Sequence, residues 1–319
     1  MVQAYPTGER PVGEAVDVAV CQRVGNLRAV AAVRWLYGAA LCAVTLASCW
    51  SPYRVPGAQV AERHLVAKLV DPAPAKLEVH VHRGHVLVQP GDQLEVVADI
   101  EVSAADREEA ERRAASVRIS TESFDGTTRV RTTHPEGAPL DAVHARYRVK
   151  IPDSVALQVL AREARVALRG PRSPVQVTTE SGAVDARAAG GTWEISTVSG
   201  PIRLEGAFTQ ADLKSETGRI DVSLDGSELP EPTLVAESGS GPLQISLPPD
   251  RAMRLRFTTV QGDVRSELPV RWTTNGAAAE GAARLYDGLL GEESNAVSID
   301  AQVHTESATL EIRRLPAGT

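Results

Sequence analysis

The densest group of candidate metal ligands in the sequence is a set of three histidines, His80, His82 and His85. Because His80 and His82 are two residues apart, a β-strand would place both imidazoles on one face, where they could bind zinc or another transition metal. No acidic or sulfur ligand is adjacent in the sequence to complete a coordination shell. We therefore expect a solvent-facing polar row here, with no bound metal and no other cofactor.

Four aspartates could act as calcium ligands or as the paired carboxylates of a polysaccharide-cleaving enzyme: Asp185, Asp221, Asp225 and Asp263. Calcium binding in repetitive β proteins uses a Gly-Gly-x-Gly-x-Asp nonapeptide, which is absent here. A glycosidase needs two carboxyl groups about 5 to 10 Å apart, a spacing that a sequence does not give. Single acidic residues near turns are usually turn formers, so we expect no catalytic residue among them.

Other catalytic motifs are missing. The sequence contains no Gly-x-Ser-x-Gly, no phosphate-cradling loop and no His-Glu-x-x-His. The glycine-rich run at 238–241 has no helix pattern after it that could bind a phosphate, so it predicts a turn. The basic strand face formed by Arg146, Arg148 and Lys150 could contact an anionic glycan or lipid headgroup, but acidic residues close in sequence favour a solvated face.

The composition favours an all-β body. Aromatic residues make up only 4% of the chain, whereas small and β-branched residues, which suit strands, are abundant. The net charge of -7 argues against a nucleic-acid partner. The three cysteines, Cys21, Cys42 and Cys49, all lie in the first fifty residues. Zinc-finger, thioredoxin-like and cysteine-nucleophile chemistry are therefore excluded from the body.

The N-terminal segment has the parts of a secretory signal. Arg28 and Arg34 precede an uncharged run over 35–48, which ends in Leu-Ala-Ser directly before Cys49. This run is shorter than the roughly 20 apolar residues that cross a bilayer, so a permanent transmembrane helix is disfavoured. The Leu-Ala-Ser-Cys ending resembles the bacterial lipobox, which implies cleavage before Cys49 and attachment of lipid to its sulfur. The alternative is an ordinary secretory signal with Cys49 as a free thiol.

Beyond Pro152 the chain repeats a pattern in which Thr or Ser precedes a glycine by three residues and an apolar residue follows it by two. Five copies, 18 to 23 residues apart, contain Gly182, Gly200, Gly218, Gly241 and Gly262. Two degenerate copies have alanine at that position, Ala164 and Ala308. Atypical copies are expected at the ends of a repeat array.

The apolar residues change parity across each glycine. Before Gly200 they are odd-numbered, Trp193 and Ile195, and after it they are even-numbered, Ile202 and Leu204. A continuous strand cannot change which parity faces the core, so each glycine predicts a corner or bulge, where we expect φ > 0. Each repeat is then two short strands around a corner. Six or seven such units predict a parallel β-helix-like solenoid, and a meander of hairpins fits the parity equally.

These patterns divide the chain into five segments. They are a non-native or disordered extension over 1–27, a lipoprotein signal peptide over 28–48, a proline- and glycine-rich tether over 49–75, a β-rich cap over 76–152 and the solenoid repeats over 153–315. Within the cap, helix-forming residues predict one exposed helix over 103–115, with Ser103 as its N-cap.

The tandem Thr-x-Ser-Gly-x-Val/Ile signature follows an opening Leu-Glu-Val-His-Val-His-Arg-Gly-His-Val-Leu-Val and a strand that ends in Arg-Val-Lys-Ile-Pro. Together these resemble the bacterial putative-adhesin family, also called domain of unknown function 4097. The resemblance covers about residues 77–313 and implies a parallel β-helix-like solenoid exposed at the cell envelope. The alanines at 164 and 308 and a long insert over 271–296 depart from the pattern.

Two classes of function are compatible with these features. The first is a non-enzymatic protein, anchored to the cell-envelope membrane through lipid on Cys49, that binds a glycan or another protein in adhesion or envelope-stress sensing. The second is a carbohydrate-active β-helix enzyme, a lyase or a glycosidase. We favour the first, because the repeats use their positions for stacking and show no local group of convergent titratable residues.

Overall fold

A computed structural model describes residues 19–21, 58–68, 73–133, 142–224, 232–248, 251–275, 282–291 and 297–315. These residues form twenty-two β-strands and one α-helix, α1 (Arg107–Ser116), so the all-β prediction with a single short helix is confirmed for this part of the chain. The strands are β1 (Ala19–Cys21), β2 (Gln59–Lys68), β3 (Lys76–Pro90), β4 (Glu95–Ala104), β5 (Ile119–Phe124), β6 (Thr127–Thr132), β7 (Val143–Ile151), β8 (Ala156–Arg169), β9 (Val175–Thr179), β10 (Val184–Ala189), β11 (Thr192–Thr197), β12 (Ile202–Ala207), β13 (Gln210–Ser215), β14 (Ile220–Leu224), β15 (Thr233–Ser238), β16 (Leu243–Leu247), β17 (Ala252–Thr259), β18 (Val264–Ser266), β19 (Val270–Asn275), β20 (Arg284–Leu290), β21 (Val297–Thr305) and β22 (Leu310–Arg314).

Most strands pair in parallel, in two stacks. Stack A contains β6, the first halves of β3 and β8, and then β9, β11, β13, β15, β21 and β17. Stack B contains β7, the second halves of β3 and β8, and then β10, β12, β14, β16, β22 and β18. This pairing is solenoid-like, and the alternative of a hairpin meander is wrong, because successive repeats lie parallel rather than antiparallel.

The register of the stacks follows the repeat length. Val184 pairs with Ile202 and Ile202 with Ile220, so like positions cover like positions. Residues of one parity point into a shared core, where Val175, Trp193 and Ala211 form one column and a large side chain alternates with smaller ones. Trp193 is fully buried, and its indole N–H donates to the carbonyl oxygen of Gly190 at 2.8 Å. The period-two alternation in the sequence therefore predicted the buried residues correctly.

The stacks begin earlier in the chain than predicted. Among the described residues of 153–315, seven two-strand units run from β8 to β22, and six or seven were predicted. An eighth is formed by β3, which runs through both stacks within the segment predicted to be a cap and pairs in parallel with β8 along most of its length. At its corner, Gly84 has φ +131°.

The corner glycines lie between the two strands of each unit, as predicted, but the reason given for them is wrong. None of Gly182, Gly200, Gly218, Gly241 and Gly262 has a positive φ. Glycine is needed because the units stack closely at the corner: a Cβ on Gly200 would lie 2.0 Å from the carbonyl oxygen of Gly182 in the unit before it. The constraint is therefore steric contact between backbones and not left-handed conformation.

The threonine or serine three residues before each corner closes the turn. The N–H of Gly200 donates to Thr197 Oγ1 at 2.9 Å, and the N–H of Gly218 donates to Ser215 Oγ at 2.8 Å. These hydroxyl side chains are buried although they are polar, since each forms a hydrogen bond at its corner; at Gly241 the direction is reversed, and Ser238 Oγ donates to the Gly241 carbonyl oxygen at 2.7 Å. The constant three-residue spacing in the repeats thus places a hydroxyl group within hydrogen-bonding distance of the corner.

The amino-terminal end of the stacks is covered by antiparallel strands and by α1. β4 pairs antiparallel with β7 and β2 pairs antiparallel with β4, while β5 covers β6 in the same way. The helix packs on β2 and β4 through its buried alanines, Ala110 and Ala114. Arg63 of β2 donates to the carbonyl oxygen of Ala114 at 3.0 Å, which satisfies the helix end.

Three predicted boundaries in this region are corrected. The tether over 49–75 is wrong for residues 59–68, which form β2 because Ala61, Leu65 and Ala67 alternate into the core. The helix begins at Arg107 and not near Ser103, because β4 continues to Ala104; Asp106 is the N-cap, and its side chain accepts from the Glu109 N–H at 2.7 Å.

Within the non-native or disordered extension predicted over 1–27, Ala19–Cys21 form β1 antiparallel to β2. Cys49 and the predicted signal peptide over 28–48 lie outside the described residues.

At the other end, spatial order departs from chain order. β21 lies between β15 and β17, and β22 lies between β16 and β18. The insert predicted over 271–296 supplies most of β19 and all of β20, which form an antiparallel pair that continues stack A beyond β17.

Candidate binding surface

The outward side chains of the two stacks form two flat faces of different chemistry. Face A is the outward side of stack A in the middle of the molecule and consists of Gln158, Gln176, Thr178, Glu194, Ser196, Asp212, Lys214 and Glu237. Face B is the outward side of stack B and consists of Arg165, Asp185, Arg187, Arg203, Glu205, Arg219 and Asp221. Charged groups are mostly neutralised on face B and less so on face A.

Face B is a set of ion pairs, two of which join neighbouring strands and two of which join residues two apart in the chain. Arg165 lies 3.7 Å from Asp185, and Arg187 lies 3.5 Å from Glu205, which also contacts Arg203. Arg219 contacts Asp221 at 2.5 Å. Exposed pairs of this kind contribute little to stability. Each of these charged groups has a partner of opposite sign, although the arginines outnumber the acids on this face.

The aspartates singled out in the sequence do not converge. Asp185 and Asp221 lie in strands and not in turns, and Arg203 stands between them in the register. Asp263 lies at a corner, where its carboxylate accepts from the Val264 N–H at 2.9 Å, as a turn former does. Asp225 is outside the described residues.

The basic strand face of β7 is neutralised by β4. Arg146 lies 2.7 Å from Glu101, Arg148 lies 2.9 Å from Asp99, and Lys150 lies 3.1 Å from Glu95. The antiparallel register of β4 and β7 places Glu95 directly opposite Lys150, and the other two ion pairs are diagonal across the two strands. A site for an anionic ligand on these three residues is therefore not supported.

The histidines of β3 have protein partners. His80 Nε2 contacts Glu78 Oε1, and the same carboxylate accepts from Arg129 Nε at 3.1 Å. Burial acts to raise the pKa of Glu78, but the hydrogen bonds from His80 and Arg129 outweigh it, so the pKa is lowered. Burial, with Arg165 and Arg146 nearby, lowers the pKa of His85. Among the described residues no group of three or more potential ligands could hold a metal ion.

Face A contains two carboxylates at the same repeat position. Glu194 of β11 is the register partner of Asp212 of β13, so the two acids face each other across neighbouring parallel strands. Burial, with Glu237 and Glu194 nearby, raises the pKa of Asp212. Within the described part of the chain neither acid forms an ion pair, whereas Lys214 bonds Glu237 at 2.7 Å.

The other outward side chains of stack A in the middle of the molecule are neutral, and all of them except Leu160 and Val235 are polar. Gln158 pairs in register with Gln176, and Ser196 Oγ lies 3.5 Å from Thr178 Oγ1. Amide, hydroxyl and carboxylate groups thus repeat from strand to strand, about 4.8 Å apart. The exposed large apolar residues of the described chain, Phe124, Val198, Val260 and Leu285, are not among those of face A.

Two sets of residues that the structure brings together were not predicted from the sequence. They are the acidic pair Glu194 and Asp212, and Glu78 with its partner Arg129. Glu194 and Asp212 are one 18-residue repeat apart, so alignment of the repeats would have paired them. Glu78 and Arg129 are joined only by the parallel pairing of β3 with β6, for which the sequence gives no signal.

Comparison with known proteins gives only weak likenesses. No protein-family model matches the chain, and no curated protein matches it. A solved structure described as a putative adhesin from Bacteroides fragilis is 8% identical, with a TM-score of 0.37 over 80% of this chain and 97% of the other. A putative cell adhesion protein from Clostridium sporogenes is 8% identical, with a TM-score of 0.29 over 80% and 100%. A putative adhesin from Parabacteroides distasonis is 7% identical, with a TM-score of 0.28 over 79% and 97%.

The family resemblance seen in the sequence therefore stays a prediction. No helix within the described residues is long and apolar enough to cross a membrane.

Proposed function

We propose that the chain is an exported, lipid-anchored protein of the bacterial cell envelope that binds an envelope glycan through face A of a parallel β-helix-like solenoid and catalyses no reaction. The observation that carries this proposal is the difference between the faces. Face B pairs its charges internally, whereas face A presents Glu194 and Asp212 without ion-pair partners among the described residues.

The chemistry of face A fits a polymer rich in hydroxyl groups. Gln158 and Gln176 can donate and accept, Thr178 and Ser196 do the same, and the carboxylates accept. Because these groups repeat at the strand spacing, a chain of sugars lying across the strands would meet one row after another. No exposed aromatic ring lies on face A, so hydrogen bonds rather than ring stacking would carry recognition.

A second candidate function is supported by one observation. Retaining glycosidases use two carboxyl groups about 5 Å apart, one of which has a raised pKa. Glu194 and the raised pKa of Asp212 match that description in part. Against an enzyme, the pair lies on an exposed strand face that does not enclose a sugar ring, and active sites are normally concave.

The binding proposal is tested with two matched double variants, each of which removes two negative charges. We expect E194Q/D212N on face A to lower binding to peptidoglycan sacculi and to an array of bacterial polysaccharides at least tenfold, and D185N/D221N on face B to leave binding unchanged. Loss of binding only in D185N/D221N would contradict the assignment to face A. Polysaccharide cleavage that E194Q/D212N abolishes without unfolding would establish the enzyme instead.

The anchor is tested separately, because lipidation requires the sulfur of Cys49. We expect Cys49→Ser to abolish acyl labelling and to move the protein out of the membrane fraction. The control is Cys42→Ser, which leaves the Leu-Ala-Ser-Cys ending intact and should be labelled normally. Unchanged labelling of the Cys49 variant would refute the anchor without affecting the proposal for face A.

A further inference from the structure

The last two units of the stacks are in reverse order. The C-terminal unit, β21–β22 (Val297–Arg314), occupies the layer next to β15 and β16. The unit β17–β18 follows β16 directly in the chain but lies one layer further out. A chain that stacked each unit on the preceding one would give the opposite order.

Both units carry the features that fit this layer. In β17–β18 the N–H of Gly262 donates to Thr259 Oγ1 at 2.7 Å, and in the C-terminal unit the N–H of Ala308 donates to Thr305 Oγ1 at 2.9 Å. The inward positions of β17, β21 and β22 are mostly apolar and buried, whereas those of β18 are the partly buried Val264 and the polar Ser266. The free edge of β15–β16 could therefore pair with either unit.

The corners of the two units differ in residue type, alanine in the C-terminal unit and glycine in β17–β18. A Cβ on Gly218 or Gly241 would lie 2.1 Å or 2.0 Å from the carbonyl oxygen of the corner glycine one layer before it. In the layer after Gly241 that corner is Ala308, which has a methyl group where the middle units have none. Gly262 is needed in the layer that it occupies, where a Cβ would lie 2.0 Å from the carbonyl oxygen of Ala308, and glycine would also fit the layer after Gly241.

The outer unit also has pairing of its own. We call β17–β20 (Ala252–Leu290) the end module. β20 pairs antiparallel with both β17 and β19. Tyr286 lies between Phe257 and Trp272, with ring centroids 5.7 Å apart in each pair. Contacts within the end module therefore do not depend on the C-terminal unit.

From these observations we propose that the C-terminal unit is an insertable latch. The end module first stacks directly on β15–β16, and the C-terminal unit then inserts between them, which moves the end module outward by one layer, about 4.8 Å. Direct stacking forms one interface between units, whereas insertion forms two. Insertion also buries Ile299, Val303 and Leu310 between apolar neighbours, so the inserted arrangement is the more stable one.

Cysteine pairs distinguish the two arrangements. Val235, Gln302 and Arg256 occupy the same outward position on β15, β21 and β17. A disulfide requires Cα atoms within about 7 Å, so it can join adjacent layers but not strands two layers apart. The V235C/R256C pair therefore reports direct stacking and V235C/Q302C reports insertion, in a full chain whose three native cysteines are replaced by serine.

The experiment is refolding from denaturant with oxidant added after different delays. We expect the V235C/R256C disulfide in most molecules at early delays and in less than a tenth of molecules oxidised when already folded, with the opposite trend for V235C/Q302C. Absence of the V235C/R256C disulfide at every delay would overturn the proposal.

Pulsed hydrogen exchange on the chain without substitutions gives an independent answer if the cysteine variants do not fold. We expect the amides of β17 to become protected before those of β21. Protection of β21 at the same time as β17, or before it, would overturn the latch.

Discussion

The middle units, β9 to β14, and the C-terminal region, β17 to β22, are built from the same two-strand repeat but assembled differently. In the middle, each unit pairs with its neighbours in the chain, at a constant offset of 18 residues between partners such as Ile202 and Ile220. In the C-terminal region, β16 takes its partner from β22 across the whole end module. The repeat thus determines the shape of a unit, and the order of units is determined by what covers the last one.

Coverage matters because an unpaired strand edge can pair with another molecule. The middle units have neighbours on both sides. At the C-terminal end, β20 and β19 cover stack A with antiparallel strands, in the same way that β5 covers it at the other end. The end module can supply this cover only if it lies outermost, which explains why the C-terminal unit lies inside it.

The largest difference between the regions is expected for their tryptophans. Trp193→Ala in a middle unit should cost about 4 kcal/mol, because a fully buried side chain leaves a cavity that the stacked strands cannot close. Trp272→Ala in the end module should cost less than half of this, since Trp272 is only partly buried. Chemical denaturation measures both, and equal losses would show that the two regions are packed alike.

The corners should give the next largest effect. Gly200→Val would place a side chain against the Gly182 carbonyl oxygen, at a cost of about 3 kcal/mol. In the C-terminal unit, Ala308→Gly should change stability by less than about 1 kcal/mol. Arg203→Gln, an exposed substitution three residues after the corner glycine, is the control. If Gly200→Val and Arg203→Gln have the same melting temperature, contact with the Gly182 backbone does not explain why residue 200 is glycine.

Removal of the corner hydrogen bond should lower the stability of the protein by the same amount in both regions. Thr197→Val and Thr305→Val each remove the acceptor of a buried N–H, that of Gly200 or Ala308, at a cost of about 2 kcal/mol. Both variants keep the size of the side chain. Denaturation midpoints that differ widely between them would mean that the corner is not a shared, local device.

The smallest effect is electrostatic and depends on pH. Because the pKa of Asp212 is raised, the folded chain holds this proton more readily than the unfolded chain, and the associated stability is lost as pH rises from about 3.8 through the raised pKa. Asp212→Asn should therefore stabilise the protein at pH 7, by less than about 1 kcal/mol for an exposed pair of like charges, and have no such effect at pH 3. Melting curves at the two pH values test this, with Asp185→Asn as the control.

Local features of the fold could be predicted from the sequence. The parity change from Ile195 to Ile202 located the strands and corners correctly, because period-two burial is a property of each strand alone. The steric role of Gly200 could not be predicted, since it depends on a carbonyl oxygen 18 residues away that only stacking brings near. The position of the C-terminal unit was missed for the same reason.

The same division applies to the candidate surface. The sequence identified Asp185 and Asp221 as candidates, but the structure separates them by Arg203, because their strands are not adjacent. Glu194 and Asp212, which do lie on adjacent strands, were not predicted as candidates from the sequence. The lipid attachment predicted at Cys49 stays a prediction.

The constant 18-residue register has a consequence for how such a molecule can change in size. Each middle unit presents to the next unit the same pairing that it receives from the one before, as Val184, Ile202 and Ile220 illustrate. Duplication of one unit in the gene would therefore lengthen the body by about 4.8 Å without altering either covered end. The length of the body can thus be adjusted in discrete steps.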